Sequence, residues 1–584
     1  MREPVVLLES YSAERDRASF AFSGFCGEVA ACVPEEVRPA LEAVERAVAG
    51  GRHAAGFLSY EAAPGLDSVL KTRPGGALPL VWFGLFRERT GVAPGGLDSC
   101  GGYSLSAWQP SVSRAAYGAA IGRIGAYIEA GDTYQVNFTF RMRADFEGDD
   151  RALYRDLCRS QRAPYTAYLN TGRFRILSAS PELFFALKNG RLTARPMKGT
   201  GRRGRWVEED DALASALQGS SKDRAENVMI VDLLRNDMGR VAALGHVTVP
   251  RLWEVERYET VLQMTSTVTS RLRPGTALVD LLTALFPCGS VTGAPKVRTM
   301  EIISEVEDSP RGVYTGSIGF FSPGPEARFN VAIRTVWIDS ETGRGEFGVG
   351  GGVTHDSSPE GEYEECLVKA QVLTVRRPEF ELLETLRFEA GEGFWLLDRH
   401  LGRLRNSARY FGFPCDVDAV VKALLETAAG LQDGAHRVRL ILARDGGVHI
   451  CARALPPGGD EAAMRVGICN LPVDERDPML FHKTTCRQIY EARRCRRPDC
   501  DEVVLVNERG EATECCIGNL VAVLDGEKVT PPVRCGLLPG TFRAELLATG
   551  EICEGVLRVE DLHRAEALFT INSVRGWVRL ELVD

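Results

Sequence analysis

Residues 222–241 read KDRAENVMIVDLLRNDMGRV, with the apolar side chains Val228, Val231, Leu234 and Met238 at helical spacing. Such spacing predicts an amphipathic helix that packs one face on a core. The segment VRTMEIISEVED (297–308) predicts a second helix of the same kind. Alternating patterns then predict three strands, GVYTGSIGFF (312–321), RFNVAIRTVWID (328–339) and GEFGVGGGVT (345–354). This mixture of helices and strands predicts an α/β fold class.

The pattern restarts near residue 378. A closing helix is predicted for EGEYEECLVKAQVLTVR (360–376), and Arg377-Pro378 ends it. The following segment, FELLETLRFEAGEGFWLLDRHLGRLRNSARYFGF, predicts strand, turn, strand and helix anew. We therefore expect a first domain over residues 1–375, with an N-terminal part (1–110) and a catalytic part (110–375). A linker at 376–379 and a second domain at 380–584 follow.

Composition narrows the classes of function. The chain has 584 residues, of which 44% are hydrophobic and 26% charged, with a net charge of −9. A net negative charge disfavours nucleic-acid binding, since no basic excess is available to neutralise phosphates. No apolar run approaches the ~20 residues of a membrane span. The N-terminal stretch is too soon acidic for a signal peptide, so we expect a cytoplasmic protein.

Acidic residues on two predicted helices suggest a metal site. Glu226 begins the first helix, while Glu362, Glu365 and Lys369 share one face of the closing helix, since residues three and four apart are neighbours. Carboxylates from two helices could hold Mg2+, which binds through few protein ligands and keeps waters for an anionic substrate. A solvated charged face is the structural alternative.

Cations and glycines surround Lys198. The loop PMKGTGRRGR (196–205) has several arginines, and neighbouring positive charges favour a neutral, nucleophilic lysine amine. Glycine loops at GSVTGAPK (289–296) and VGGGVTHDS (349–357) could present backbone N–H groups to carboxylates, and Arg334 could pair with one. Each loop is also compatible with a plain turn. Together they suggest a small di-acid held beside Mg2+ and an amine.

Residues 110–375 resemble the chorismate-binding enzymes, which include the anthranilate, aminodeoxychorismate and isochorismate synthases. The resemblance rests on motifs that follow in order, GDTYQVNF (131–138), SASPELF (178–184), PMKGTGRRG (196–204), ENVMIVDLLRNDMGR (226–240), GSVTGAPK, GSIGFF, FNVAIRTV and GEYEECLVKAQ. It implies a large α/β unit in which two β-sheets pack face to face with helices outside. The N-terminal ~100 residues, including GFLSYE (56–61), resemble the front half of that fold.

The resemblance also implies roles for single residues. PMKGT resembles the aminodeoxychorismate synthases, in which the lysine adds at C2 of the chorismate ring before ammonia substitutes at C4; Lys198 is that lysine. Gln135 stands where water-adding relatives have a lysine, and Gln cannot accept a proton from water. The remaining implied roles are a general acid at Glu182, metal carboxylates at Glu226 and Glu365, and substrate contacts at Arg334, Gly352, Lys369 and Ser290.

Two features depart from the family or are missing. Many relatives have His in the segment that here reads YETVLQM (258–264), where Leu262 and Gln263 stand instead. The nearest candidate for a glutaminase nucleophile, Cys26 in SGFCGEVA, lacks the expected glycine and glutamine. Ammonia is therefore expected from a separate glutamine amidotransferase subunit or from solution.

The second half contains the parts of a pyridoxal 5′-phosphate site. Lys483 lies in FHKTTCRQIYEARR and Glu514 in EATECCIGNL, and Leu537-Leu538-Pro539-Gly540-Thr541 precedes a predicted helix. A helix N-terminus with a hydroxyl suits a phosphate, and a lysine can hold the cofactor covalently. Taken singly, both residues would be read as surface residues.

Residues 380–584 resemble the fold-type IV pyridoxal phosphate enzymes, which include branched-chain and D-amino-acid aminotransferases and 4-amino-4-deoxychorismate lyase. The resemblance implies Lys483 as the Schiff-base lysine, Glu514 as the pyridine partner, and Arg403, Thr541 and Ser573 as phosphate contacts. Aminotransferases of this group usually have Tyr five residues after the lysine, but here Gln488 occupies that position and Tyr490 follows. This departure weakens the interpretation as an aminotransferase, and fusion to a domain expected to make aminodeoxychorismate favours a lyase.

The two resemblances together predict a bifunctional enzyme of 4-aminobenzoate synthesis that uses chorismate, ammonia, Mg2+ and pyridoxal phosphate. Relatives of the second half build their sites at dimer interfaces, so a homodimer through that half is possible. One alternative is an anthranilate-type synthase fused to an aminotransferase of another pathway. Another is a second half that serves only as a docking module.

Overall fold

The computed structural model describes residues 3–12, 18–99, 101–374, 378–456 and 463–583. It divides into two compact units, of which the first comprises Met1–Arg203 and Leu213–Arg377 and the second Gly204–Ala212 and Pro378–Asp584. Residues 376 and 377 of the predicted linker lie outside the described residues. The segment 204–212, which the sequence places in the first domain, groups with the second unit.

The strands numbered β1 to β19 belong to the first unit. They are β1 (Val5–Glu9), β2 (Ser19–Ala31), β3 (His53–Leu58), β4 (Val81–Val92), β5 (Tyr103–Leu105), β6 (Gln109–Pro110), β7 (Gln135–Gly148), β8 (Tyr165–Asn170), β9 (Phe174–Ser180), β10 (Leu183–Lys188), β11 (Arg191–Arg195), β12 (Met197–Arg202), β13 (Thr248–Arg257), β14 (Val261–Arg271), β15 (Gly293–Ala294), β16 (Ser317–Ser322), β17 (Glu326–Val331), β18 (Thr335–Asp339) and β19 (Arg344–Val353).

Nine helices are numbered along the same stretch of the described chain. They are α1 (Pro34–Ala49), α2 (Ala63–Leu66), α3 (Arg114–Glu129), α4 (Asp150–Gln161), α5 (Val207–Gly219), α6 (Ser221–Gly239), α7 (Leu278–Leu285), α8 (Lys296–Val306) and α9 (Pro359–Ala370).

The strands of the first unit form one antiparallel network. Hydrogen-bonded neighbours follow in the order β7, β19, β18, β9, β8, β1, β2, β4, β3, β16, β17, β10, β11 and β14. Both β12 and β13 pair with β14, and β5, β6 and β15 pair with β7.

Alternation along these strands fills three cores. On β1, Val6 and Leu8 join a central cluster that contains Phe57 of β3, while Leu7 points the other way toward Tyr117 of α3. Successive side chains of a strand face opposite sides, so one strand can serve two cores. Helices α1, α6 and α7 cover one outer core, and α3, α4, α8 and α9 cover the other. The arrangement is a sandwich of two β-layers with helices outside.

The second unit has strands β20 to β32 and helices α10 to α14. Its strands are β20 (Leu382–Glu389), β21 (Gly393–Phe394), β22 (Ala435–Leu442), β23 (Val448–Ala454), β24 (Met464–Ile468), β25 (Glu502–Val506), β26 (Glu511–Cys515), β27 (Asn519–Leu524), β28 (Glu527–Thr530), β29 (Cys553–Glu554), β30 (Leu557–Arg558), β31 (Ala567–Asn572) and β32 (Gly576–Leu582). Its helices are α10 (Leu397–Phe411), α11 (Val417–Ala429), α12 (Gln488–Arg494), α13 (Thr541–Ala548) and α14 (Val559–Arg564).

Two subdomains make up the second unit. In the first, α10 and α11 pack Leu404 and Leu424 against Leu386 and Val438 of a four-stranded sheet in the order β21, β20, β22, β23. The second is a nine-stranded sheet in which β24 runs parallel to β25 and β32, and β26 also pairs with β27. The additional pairing between β26 and β27 curves the sheet around the hydrophobic cluster that contains Val504, Leu520 and Leu568.

The predicted fold class is confirmed, since both units mix helices and strands in the expected order. The predicted helix at 222–241 is α6, whose residues Val231, Leu234 and Met238 are buried in a core. Within the described ranges, no helix is both long enough and apolar enough to cross a membrane.

Candidate active sites

Three elements of the first unit meet around the amine of Lys198. This residue lies on β12, and its Nζ is 3.1 Å from Oε2 of Glu226 on α6. On β19, a Cβ added to Gly352 would come within 2.6 Å of the same Nζ and 2.9 Å of Nε2 of Gln135. Glycine is therefore the residue that leaves room for the amine, and the predicted Lys198, Glu226 and Gly352 are brought together.

Gln135 is a buried amide without a partner. The residue is 1% exposed, and among the described residues neither its Nε2 nor its Oε1 has a hydrogen-bond partner. An unsatisfied buried amide costs about 1–3 kcal/mol, so a native structure retains one where a ligand or water completes it. The side chain lies beside Lys198 and Gly352, which marks this pocket as a binding site.

Glu182 has the protonation expected of an acid. It is 3% exposed, and its Oε1 lacks a hydrogen-bond partner within the described part of the chain. Burial raises the pKa of Glu182 to about 7, although the Ser290 hydroxyl and the Met197 amide act in the opposite direction. A carboxyl with a pKa near 7 can donate a proton at physiological pH.

Gln263 fastens the strand that carries Lys198. Its amide Nε2 donates to the Gly199 carbonyl over 2.8 Å, and its Oε1 accepts from the Thr200 hydroxyl over 3.1 Å. Asn227 adds a third contact by donating to the carbonyl of Lys198 itself over 3.2 Å. Gln263 thus holds the two residues that directly follow Lys198.

Two predicted substrate contacts, Arg334 just before β18 and Lys369 on α9, are engaged with the protein itself. Arg334 donates to the carbonyl of Lys369, and burial lowers the pKa of this arginine to about 10. The Lys369 amine lies 2.6 Å from Oε1 of Glu365 and 2.9 Å from the Gly350 carbonyl. These cations lie close together and are already fixed in position, so an anion would meet a preorganised group.

The two predicted metal carboxylates fit Mg2+ in their chemistry. Glu226 pairs with Lys198, while the charges of Lys369 and Lys198 outweigh burial and lower the pKa of Glu365. Both carboxylates thus interact with the same amine, that of Lys198. Mg2+ prefers hard oxygen ligands and needs few from the protein.

The arginines of the loop have partners of their own. Arg195 pairs with Glu256, Arg203 donates to the carbonyl of Tyr258 over 2.5 Å, and Arg205 pairs with Glu209 over 3.0 Å. Arg205 belongs to the second compact unit. The sequence predicts that these cations surround the amine, but within the described part of the chain Lys198 forms its ion pair with the carboxylate of Glu226.

In the second unit, Lys483 lies in a desolvated and cationic setting. The residue follows a short 3-10 helix (Pro478–Leu480), and its carbonyl accepts from the amide of Leu383 on β20 over 2.9 Å. Desolvation and the Arg403 charge lower the pKa of the Lys483 amine to about 8, and Arg487 adds to the effect. A substantial neutral fraction is thus available for covalent chemistry near neutral pH.

Glu514 lies on β26 and is 3% exposed. It accepts from the Tyr490 hydroxyl over 2.9 Å and from the Asn519 amide over 3.3 Å. Burial raises the pKa of Glu514 to about 8, so the carboxyl carries a proton near pH 7. The tyrosine that follows the unusual Gln488 is therefore directed at the carboxyl.

A cradle for a phosphate forms where α13 begins. Gly540 caps this helix, and a Cβ there would fall 1.9 Å from Oδ1 of Asn519, so only glycine fits. Thr541 starts the helix and is 4% exposed, and Arg403 reaches the carbonyl of Pro539 over 3.2 Å. Backbone N–H groups of a helix N-terminus together with a guanidinium bind phosphate well.

The hydroxyl of Ser573, a predicted phosphate contact, forms a hydrogen bond within the protein. The residue is 7% exposed, and its Oγ donates to the carbonyl of Thr385 over 3.5 Å. Amine, buried carboxyl, guanidinium and helix N-terminus are nevertheless the donor set that pyridoxal phosphate requires, so the residues fit this cofactor.

Sequence reasoning missed four residues around this site, namely Glu384, His400, Arg487 and Tyr490. Glu384 and His400 are buried beside Arg403, and Arg487 stacks on Tyr490 with its guanidinium 4.6 Å from the ring. His400 stands in the same RHLGRL motif that identified Arg403, and one helical turn separates the two. That spacing was the available signal.

Comparison with known proteins matches each half of the chain to a different family model. The family model described as chorismate binding enzyme matches residues 99–375, and the one described as amino-transferase class IV matches residues 381–583. Residues of the first half are 45% identical over 264 residues to "Aminodeoxychorismate synthase component 1" of Salmonella typhimurium, across 45% of this chain and 58% of that protein.

Two further proteins, one curated relative and one solved structure, are similar to the first half of the chain. Identity to "Aminodeoxychorismate synthase" of Streptomyces griseus is 47% over 247 residues, which covers 42% of this chain and 34% of that protein. The chain thus spans between a third and three fifths of the length of these curated relatives. The crystal structure of anthranilate synthase component I from Streptococcus pneumoniae matches with a TM-score of 0.54 and 26% identity, over 62% of this chain and 92% of that one. The chain therefore contains one region, residues 99–375, that matches the chorismate-binding enzyme family and another, residues 381–583, that matches the class IV aminotransferase family.

Proposed function

We propose that the first half converts chorismate and ammonia to 4-amino-4-deoxychorismate, and that the second half eliminates pyruvate to give 4-aminobenzoate. The observation that carries the proposal is the pair of lysines, one in each half, that lie in pockets with acids and anion-binding groups. Similarity to proteins named aminodeoxychorismate synthase supports the first step. The class IV domain supports the second.

In the first half, Lys198 is the nucleophile that adds to the ring. Its Nζ is held at the mouth of the space left by Gly352, and Gln263 fixes the backbone beside it. Glu182, protonated below about pH 7, donates to the departing hydroxyl. Gln135 can donate a hydrogen bond but cannot take a proton from water, which disfavours addition of water.

Arg334, Lys369, Ser290 and the backbone of Gly352 bind the substrate carboxylates. Arg334 donates a hydrogen bond to the Lys369 carbonyl, and the Lys369 amine is held by Glu365 and the Gly350 carbonyl. Neither side chain therefore has to be ordered when the anion arrives. Glu226 and Glu365 would hold Mg2+, which when bound neutralises a carboxylate and orients it.

In the second half, Lys483 would hold pyridoxal phosphate covalently and then act as the acid and base. The cofactor, when bound, withdraws electrons from the substrate carbon next to the amine. Glu514 carries a proton that it can share with the pyridine nitrogen, and Tyr490 holds that carboxyl in place. Arg403, Thr541 and Ser573 bind the phosphate.

Ammonia would come from a separate glutamine amidotransferase subunit, because the sequence has no convincing nucleophile of its own for that reaction. Free ammonium would replace that partner in the test tube. A homodimer through the second half remains part of the proposal.

An anthranilate-type activity of the first half is the second candidate. The likeness to an anthranilate synthase component I structure, at a TM-score of 0.54, favours it. Lys198 argues against it, since anthranilate synthases that share the glycine loop carry Ala at that position.

Product identification separates the candidates. Purified full-length protein is incubated with chorismate, ammonium, Mg2+ and pyridoxal phosphate, and the products are resolved by liquid chromatography and mass spectrometry. We expect 4-aminobenzoate and pyruvate, and 4-amino-4-deoxychorismate when pyridoxal phosphate is withheld. Formation of anthranilate instead would overturn the proposal in favour of the second candidate.

A further inference from the structure

Glu384, Arg403, His400 and Thr541 form a row of buried polar side chains at the phosphate cradle, and the proposed reaction uses neither Glu384 nor His400. Both carboxylate oxygens of Glu384 on β20 accept hydrogen bonds from Arg403, with an Nε–Oε1 distance of 2.9 Å and an Nη2–Oε2 distance of 2.7 Å. Glu384 also contacts Nδ1 of His400 over 2.6 Å. The other ring nitrogen, Nε2, lies 3.3 Å from Oγ1 of Thr541. The four residues are each 9% exposed or less.

Proton positions follow from the charges along this row. Arg403 and His400 overcome the effect of burial and lower the pKa of Glu384 to about 2, so the carboxylate accepts hydrogen bonds only. Nδ1 of His400 must therefore donate to it. The charged or titratable groups that act on the imidazole are Glu384, Arg403 and Lys483.

The protein groups around His400 favour a neutral imidazole by themselves. Burial, with the charges of Arg403 and Lys483, outweighs Glu384 and lowers the pKa of His400. A neutral ring that donates through Nδ1 has a bare lone pair at Nε2. The Thr541 hydroxyl then donates to Nε2 and has no proton left for a ligand.

This arrangement is unfavourable for a phosphate dianion. The phosphate oxygens need hydrogen-bond donors, but the Thr541 hydroxyl would present only lone pairs to them. If Nε2 carries a proton, the direction of the hydrogen bond reverses, and the Thr541 hydroxyl is free to donate to the phosphate. The negative charge of the phosphate would itself stabilise the imidazolium.

We propose that a phosphate ester entering the cradle draws one proton from solvent onto Nε2 of His400, which then donates to Oγ1 of Thr541 and releases its hydroxyl to the phosphate. Glu384 is the positioning residue that fixes both the imidazole and Arg403. One N–H bond forms at Nε2 and one bond to hydrogen breaks in a buffer acid in the solvent, and no other covalent bond changes. The inference rests on the proposed assignment of the second half as a pyridoxal phosphate domain.

Isothermal titration calorimetry with pyridoxine 5′-phosphate tests this directly. This probe carries the phosphate and ring but has no aldehyde, so it cannot react with Lys483. Titrations of cofactor-free full-length protein at pH 7.5 in buffers of different ionisation enthalpy give the number of protons taken up. We expect wild type to take up nearly one proton more than His400→Asn, and to bind the probe about tenfold more tightly.

The same comparison in a Lys483→Ala background removes the titration of the lysine, and the difference should persist. If His400→Asn does not fold, 15N spectra of histidine-labelled wild type serve instead, and one imidazole should become protonated when the probe is added.

The outcomes are distinguishable. Equal proton uptake by wild type and His400→Asn, or no newly protonated imidazole, with the probe bound, overturns the role of His400 and leaves the cofactor assignment standing. If wild type does not bind the probe, and borohydride in the presence of pyridoxal phosphate leaves Lys483 unmodified, both the relay and the cofactor assignment are wrong.

Discussion

The two halves set their central lysines in opposite electrostatic surroundings. Lys198 has a carboxylate partner, Glu226, at 3.1 Å, and a Gln amide across from it. Burial is the largest factor that lowers the pKa of the Lys483 amine to about 8, and the charges of Arg403 and Arg487 act in the same direction. Lys198 is instead engaged by a carboxylate, so in the proposed reaction its availability depends on what else binds Glu226. Under the proposed function, the two lysines are separate covalent catalysts in different surroundings.

The largest effect should follow from Lys483→Ala. Release of 4-aminobenzoate should fall by about 10³-fold or more, because the covalent anchor and the proton carrier are lost together. Chorismate consumption should continue, so that 4-amino-4-deoxychorismate accumulates. Chromatography of the reaction checks this, with exposed Lys422→Ala as the matched control. Unchanged 4-aminobenzoate release would remove Lys483 from the reaction.

Glu182→Gln should be the next largest change and should affect only the first half. We expect chorismate amination to fall by about 10²- to 10⁴-fold, the usual contribution of a general acid. In wild type the rate should also decline as pH rises through about 7, since Glu182 then loses its proton. This limb of the pH profile should vanish in the variant. A wild-type limb that survives in Glu182→Gln would assign it to another group.

Glu514→Gln tests the second half of the comparison and should affect only the second reaction. The amide keeps the size of the side chain but cannot share an ionisable proton with the pyridine nitrogen, so we expect elimination to slow by about 10²-fold. The cofactor should remain attached, because the phosphate cradle and Lys483 are intact. Borohydride reduction and peptide mass spectrometry measure the attachment. Loss of the cofactor with activity would instead indicate a structural role.

Gln263→Ala should have the smallest effect. Two hydrogen bonds to Gly199 and Thr200 are lost, which at about 1 kcal/mol each amounts to roughly 10- to 30-fold in the first reaction if the amine drifts. The second reaction should be unchanged. Thr200→Val removes one of the two bonds and should produce a smaller loss in kcat. Equal losses in both reactions would indicate general destabilisation.

Sequence patterns predicted the fold class, and they could single out candidate reactive groups because motifs such as PMKGT and LLPGT are local. They could not predict the partners that distant strands bring. Gln263 contacts Gly199 and Thr200, the residues after Lys198, only because β14 pairs with β12 across more than sixty positions. Glu384 contacts His400 only because β20 packs on α10. The segment 204–212 joins the second unit for the same reason, since packing rather than sequence proximity decides it.

Lys198→Ala, assayed with two substrates, tests the central claim most directly. Given chorismate, ammonium and Mg2+, the variant should form no 4-amino-4-deoxychorismate, while exposed Lys222→Ala should behave as wild type. Given 4-amino-4-deoxychorismate and pyridoxal phosphate, Lys198→Ala should still release 4-aminobenzoate at the wild-type rate. Formation of 4-amino-4-deoxychorismate from chorismate at an unchanged rate would contradict the claim that each half relies on its own lysine.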